Sequence, residues 1–268
     1  MIDKDEKAYP TELLKQWKMD AEKKDYDRNM RIVAVANQSG GVGTSSVTAY
    51  LAQAVSIITE EKVLCISAAA CDDVGTILLG MNAEVKRDGI MPTNYTGIDY
   101  MGDEAIRKLY RKEIEFSGVI RPTGNEVEKR YKYIFVDCGN GVSDEKLALF
   151  HMATDVIIPI GEHSHTDTGI RTVGRWLEKP PAKVRVWPLY SIGLTFSNNI
   201  YRRKWYQKVW KEINKIAANE RISIQIPSVV IPKSQYVGVT LDIWNDRKTN
   251  YAAYYTCIFR KVFIRVLR

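Results

Sequence analysis

The sequence predicts an α/β protein, a single domain built on a parallel sheet with helices on both faces. Three observations carry this expectation. From residue 31 onward, short continuous apolar runs alternate with helical stretches, the pattern of strands covered on both faces. The first run is followed by a glycine-rich turn and then a helix. The 268 residues suit one large α/β domain or two small ones, and they suffice to bury a core without staples.

The elements follow in order. Residues 1–29 are charged throughout and read as an N-terminal extension, with Thr11 placed to cap a short helix carrying Leu13, Leu14 and Trp17. Ile32–Ala36 is a buried strand, Asn37–Gly43 the glycine-rich turn, and Ser45–Ile58 a helix with Val47, Leu51 and Val55 on one face. Val63–Ile66, Tyr133–Val136 and Asp155–Ile160 are further buried strands, and later apolar runs fall at Val184–Leu194 and Ile222–Ile231. Helical stretches fall at about 104–114, 144–152, 166–177, 201–218 and 250–267. Residues 80–130 carry the weakest pattern.

Composition removes several classes. With 45% hydrophobic and 26% charged residues the chain is neither collagen-like nor disordered. No run approaches the roughly 18 apolar residues that span a bilayer, and the first 30 residues hold no signal-peptide core. A cytoplasmic location is expected, with peripheral contact at the inner face of the membrane left open. Cys65, Cys71, Cys138 and Cys257 form no C-x-x-C pair and read as reduced thiols. The net charge of +7 is uneven, about +14 from Arg171 onward and −7 before it. Such asymmetry suits an anionic partner surface, DNA or membrane, or internal compensation within the domain.

A strand, then NQSGGVGTSS, then a helix is the context of a phosphate-binding loop. Glycines let backbone N–H groups converge on phosphate oxygens, and the helix N-terminus adds partial positive charge. Gly40, Gly41 and Gly43 supply the loop, with Val42 between them, and Thr44, Ser45 and Ser46 open the helix. Ser45 supplies a hydroxyl suited to Mg²⁺. Such loops normally carry a lysine just before that hydroxyl, and here the residue is Thr44.

Ala36–Ser46 resembles the deviant Walker A motif of the ParA/MinD family, A-N-Q-K-G-G-V-G-K-T-T, without a gap. The resemblance extends over about residues 30–268 and implies a P-loop NTPase-like domain that binds ATP and Mg²⁺. Tyr131–Cys138 is similar to the family's Y-D-Y-I-I-I-D-C segment, which makes Asp137 the carboxylate that holds the metal with Ser45. Ile231-Pro232-Lys233 is similar to the segment that borders the adenine, so Ile231 and Pro232 join the expected nucleotide site. Three departures stand out. The signature lysine is Ser39, the P-loop lysine is Thr44, and the two aspartates that follow the family's second strand are Ser67 and Ala69. Asp72 and Asp73 lie just beyond and read as loop or helix-start residues rather than substitutes. The G-G-V-G-T-S form resembles the TadZ/CpaE pilus-assembly branch, whose members often carry a receiver-like domain ahead of the ATPase-like one.

Other constellations are weaker. His163 and His165 form an H-x-H with Asp167 in alternation, but a solvated loop is the preferred reading. Tyr201–Ala217 forms a helix with Tyr206, Val209, Trp210, Ile213 and Ile216 on one side and Lys204, Lys208, Lys211 and Lys215 on another. That basic face suits a polyanion or simply solvent. In Tyr251–Arg268 an apolar stripe including Phe259 and Val262 suits either core packing or a membrane surface, and core packing is preferred.

Loss of two lysines and a water-orienting aspartate removes charges on which phosphoryl transfer depends. The expectation is therefore a nucleotide-binding organiser with weak or absent hydrolysis and no catalytic residue assigned. It would be a homodimer serving a cell-surface, secretion or pilus assembly. The alternatives are a DNA-partition ATPase, an interaction protein that binds no nucleotide, and a metabolic enzyme of the same superfamily.

Overall fold

The computed structural model describes residues 31–37, 40–69, 72–80, 89–102, 131–140, 153–160, 185–193 and 230–233, with single positions 211, 214, 215, 259 and 262. Eight strands form one sheet: β1 (Arg31–Ala36), β2 (Val63–Ser67), β3 (Ile90–Pro92), β4 (Ile98–Met101), β5 (Tyr133–Gly139), β6 (Asp155–Ile160), β7 (Arg185–Gly193) and β8 (Val230–Lys233). Their spatial order is β3-β4-β2-β5-β1-β6-β7-β8. Every pairing is parallel except β3 with β4. Two helices are described in full, α1 (Thr44–Thr59) and α2 (Asp73–Leu79). The expected single-domain parallel sheet is therefore present, with one antiparallel edge strand added.

The central strands are apolar on both faces, which is why they read as unbroken runs. One face receives α1. Val33 and Val35 of β1, Val63 and Cys65 of β2, and Tyr133 and Phe135 of β5 pack in one cluster with Val47, Tyr50, Leu51 and Val55 of that helix. Every residue of α1 from Val47 to Ser56 is buried, so the helix is covered on its outer side too. Phe259 and Val262 belong to the same cluster, with the Phe259 ring 5.7 Å from that of Tyr50. At these two positions the apolar stripe of the C-terminal run faces the core. Residues 211, 214 and 215 are helical and exposed. The remainder of the helices expected at 104–114, 144–152, 166–177, 201–218 and 250–267 lies outside the described residues, as does the extension 1–29.

Three differences from the sequence reading have physical causes. β3 is a three-residue edge strand ending in Pro92, which suits an edge where its missing N–H is harmless. In β4 the half-buried Asp99 interrupts the apolar pattern. β5 runs on through Asp137, Cys138 and Gly139, because the strand delivers a buried carboxylate at its end.

A charge cluster fixes the amino edge of the sheet. Asp155 opens β6, is fully buried, and accepts hydrogen bonds from Trp187 Nε1 at 3.0 Å and Thr154 Oγ1 at 2.8 Å. Arg31 of β1 and Arg185 of β7 pair with it at 3.3 and 2.7 Å. One carboxylate thus joins three adjacent strands. Burial raises its pKa, against the lowering by Trp187, Thr154 and Arg31. The linkage of this group therefore favours folding most at low pH, and that contribution is lost as pH rises through the raised value. Replacing Asp155 with Ala leaves two half-buried guanidinium groups and an indole N–H uncompensated. Asp155→Ala should lower unfolding free energy by about 3 kcal/mol in urea titrations.

Candidate functional site

The carboxyl ends of β1, β5 and β2 meet beside the N-terminus of α1. In the β1–β5 ladder Val35 pairs with Asp137, and a register shift follows between Val35 and Ala36. In the β2–β5 ladder Ser67 pairs with the same Asp137. The chain leaves β1 for β2 on one side and leaves β5 for β6 on the other. Connections that diverge from neighbouring strands in this way create the crevice in which open α/β sheets bind ligands.

The loop backbone is shaped by its glycines. Gly41 has φ +72° and Gly43 has φ +91°. In this left-handed region a side chain costs on the order of 1–2 kcal/mol. Nothing lies within 4 Å of where a Cβ would sit on either residue, so the glycines are required by conformation and the space beside them is open. A Cβ on Gly40 would lie 3.4 Å from the Asn140 amide, which brings the loop against the end of β5. Gly43 is the N-cap of α1, offers no side-chain cap, and no acidic residue stands in the first turn. Val47 N–H is satisfied by the Gly43 carbonyl at 2.9 Å. The earlier amides of Thr44, Ser45 and Ser46 belong to the turn whose donors an α-helix leaves without internal partners, the arrangement that receives anions.

Ser45 and Asp137 are in direct contact. Ser45 Oγ donates to Asp137 Oδ2 at 2.5 Å, and Gly139 N–H donates to Asp137 Oδ1 at 2.9 Å. Asp137 is fully buried. A carboxylate and a hydroxyl at the mouth of an amide-lined turn form a hard oxygen set of the kind Mg²⁺ accepts alongside phosphate oxygens. The residues therefore fit a magnesium nucleotide. Ser45 and Asp137 would hold the metal, the amides of Gly41–Ser46 would hold phosphate, and the metal would supply charge neutralisation between phosphate oxygens. Asn37, buried at the end of β1, donates from Nδ2 to the Pro159 carbonyl at 2.6 Å and ties the start of the loop to β6. Sequence reasoning did not single out Asn37, although an amide-bearing residue directly after a buried strand was a usable signal.

The remaining site residues divide. Val42, Thr44 and Ser46 lie in the loop and first turn, half-buried. Ile231 and Pro232 lie on edge strand β8, three strands from β1, or roughly 14 Å at ordinary strand spacing. Their strand ends at the same sheet edge because the pairings between are parallel. Ser39 lies outside the described residues, as do Cys71, Cys257, His163, His165 and Asp167. Among the described residues no three His, Cys, Asp or Glu side chains gather as a metal cluster. Cys65 and Cys138 are buried free thiols, and burial, reinforced by the Asp137 charge, raises the Cys65 pKa far above the thiolate range.

The end of β2 carries no carboxylate into the site. Ser67 and Ala69 are buried there, and Ala68 N–H continues the ladder to the Asp137 carbonyl at 2.8 Å. Asp72 is committed elsewhere. It caps α2 by accepting from Gly75 N–H at 2.9 Å and also accepts from the Tyr100 hydroxyl. A Cβ on Gly75 would fall 2.3 Å from the Asp72 carboxylate, so that glycine permits the cap. Asp73 is exposed in the first turn of α2. Asp72→Ala should cost about 1–2 kcal/mol in thermal or urea unfolding.

Comparison with known proteins agrees with this geometry at the level of fold. No protein-family model and no curated protein matches the sequence. Solved structures do match. A McdA variant of Cyanothece in complex with ATP superposes with a TM-score of 0.62 at 16% identity, covering 88% of this chain and 96% of that one. The septum site-determining protein MinD of Pyrococcus horikoshii, complexed with Mg-ADP, gives 0.60 at 17% identity, covering 87% and 96%. Cobyrinic acid a,c-diamide synthase from Mycobacterium smegmatis with bound ADP and magnesium gives 0.59 at 15% identity, covering 86% and 92%. Over 86–88% of its length, the chain has the P-loop NTPase-like fold of MinD, McdA and this synthase.

Proposed function

We propose that the chain is a ParA/MinD-like nucleotide-binding protein that holds Mg-ATP and hydrolyses it very slowly or not at all, and that it acts as a spatial organiser for a larger assembly. One observation carries the binding half of this reading: the open, uncapped first turn of α1, led by left-handed Gly43, stands beside the Ser45–Asp137 pair. The likeness to MinD and McdA structures that contain nucleotide supports it.

The chemistry half rests on what surrounds the loop. Phosphoryl transfer is accelerated by charges placed about the γ-phosphate. Thr44 stands where the loop would carry its lysine. At the end of β2, Ser67 and Ala69 stand at the two aspartate positions of the resembling pattern, Ala69 at the one that would orient water, and Asp72 is turned into a helix cap. Each missing donor of this type is worth on the order of a hundredfold in rate. Binding needs fewer groups than turnover, since the backbone cradle and metal ligands suffice to hold phosphate. Bound nucleotide then favours one conformation, which partners read.

Within this reading the chain is a cytoplasmic homodimer of the TadZ/CpaE kind, working with protein components of a pilus or secretion machine. The G-G-V-G-T-S loop supports that branch. The basic residues after Arg171 suit an anionic surface, and the exposed Lys211 and Lys215 are in keeping with it.

Titration calorimetry with Mg-ATP should give binding at or below millimolar concentration, and a phosphate-release assay should give near-background turnover. Absence of binding at millimolar ATP would sink the nucleotide reading, and brisk turnover stimulated by DNA would favour a partition ATPase. The double variant Ser39→Lys with Thr44→Lys should tighten ATP binding by about tenfold or more, because each lysine restores a charge-assisted contact to phosphate. An unchanged affinity would mean that the loop does not cradle phosphate in the proposed register.

A further inference from the structure

A proline lies inside a strand that has neighbours on both sides. Pro159 is buried in β6, between β1 and β7. Proline has no N–H to give to a ladder, so within sheets it is confined to edges and bulges. Its place in an inner strand requires that one side of β6 be locally an edge.

The ladders show which side. β6 stays paired with β7 to its end, Pro159 with Leu189 and Ile160 with Tyr190. Its pairing with β1 stops earlier, at Val35 with Ile157. β1 ends at Ala36, and the chain turns away into the phosphate loop. The seam between β1 and β6 is therefore open beside Pro159. A strand residue turns its nitrogen and its carbonyl toward the same neighbour. The Pro159 carbonyl meets the Asn37 side chain, so the proline nitrogen also faces the open seam, and the missing donor costs nothing there. One polar group is left to satisfy, the carbonyl of a buried residue.

Asn37 satisfies it. This residue is 1% exposed and donates from Nδ2 at 2.6 Å. A carbonyl only accepts, so the amide nitrogen and not the amide oxygen must face it. The side chain thus continues the contact between β1 and β6 by one bond after the backbone of β1 has left the ladder. The other side of the loop is held separately, with Gly40 against Asn140 and Ser45 bonded to Asp137 of β5. A cradle of backbone amides receives an anion only while its N–H groups keep their directions, and such constellations tolerate displacements of about 0.5 Å. Building on the nucleotide reading above, we infer that Asn37 is a positioning residue of the phosphate loop: its amide, given to the Pro159 carbonyl, pins the loop entrance to β6 so that the amides of Gly41–Ser46 converge on phosphate. Asn37 acts through the backbone that follows it.

A packing residue and a positioning residue respond differently here. Asn37→Leu keeps the branched shape of the side chain and loses the donor, whereas Asn37→Ala loses both. Mg-ATP affinity should fall by about tenfold in both variants, read by titration calorimetry at a temperature where each is fully folded. In NMR spectra of the ligand-free variants the amide resonances of Gly40, Gly41 and Gly43 should move or broaden, while those of Val47–Ser56 in α1 keep their places. Loss of affinity in both variants, with spectral change confined to the loop, supports the role. Unchanged affinity in both, beside a wild type that binds Mg-ATP, overturns it and leaves the nucleotide reading standing. Loss in Asn37→Ala alone, or resonances displaced throughout α1, marks a packing defect and overturns it equally. Should neither variant fold, Asn37 is a stability element and the inference falls. A wild type that binds no Mg-ATP overturns both the inference and the nucleotide reading.

Discussion

The site depends on the burial of one carboxylate at the end of a central strand. Asp137 sits where β1, β2 and β5 finish together, and it is satisfied locally by Gly139 N–H and at long range by Ser45. A buried carboxylate is tolerated only with such partners. Its presence therefore fixes the start of α1 against the end of β5. It also gives a reason for the register shift after Val35 and for the continuation of β5 into Cys138 and Gly139. Loop, helix and strand ends are held in one arrangement by a single charge that the surrounding apolar core could not otherwise accept.

Much of this was legible in the sequence. The runs Ile32–Ala36, Val63–Ile66 and Val156–Ile160 read as strands because unbroken apolar runs of four or five residues, alternating with helices, are the pattern of strands buried on both faces. The turn Asn37–Gly43 and the helix after it fell within a residue or two of the observed bounds. The pairing of Ser45 with Asp137, 92 positions apart, was legible only through resemblance to a known motif, since no local pattern connects them. The edge was illegible for physical reasons. β3 and β4 are three and four residues long, too short for periodicity to rise above chance, and their strand character comes from pairing. The cap formed by Asp72 was expressed as a helix-start expectation, but its bond from Tyr100 required the fold.

The site also keeps an internal balance. Where the ParA/MinD pattern places two lysines and two aspartates, this chain has Ser39, Thr44, Ser67 and Ala69, so the cationic and the anionic positions of that pattern are neutral here together. Among the described residues of the site Asp137 is the one carboxyl side chain, and it lies among hydroxyls and amides. A buried aspartate at position 67 or 69 without a nearby lysine would meet Asp137 with like charge in a medium that screens poorly. The neutral substitutions are thus mutually consistent, and none of them is a defect that the others leave exposed.

The Asp155 clamp has a consequence of another kind. It ties β1, β6 and β7 at the edge of the sheet remote from the phosphate loop, so the forces that hold the scaffold and the groups that meet a ligand occupy opposite ends of the same strands. Sequence drift at one end is thereby shielded from the other. Residues around the loop can therefore be exchanged while the framework keeps its integrity.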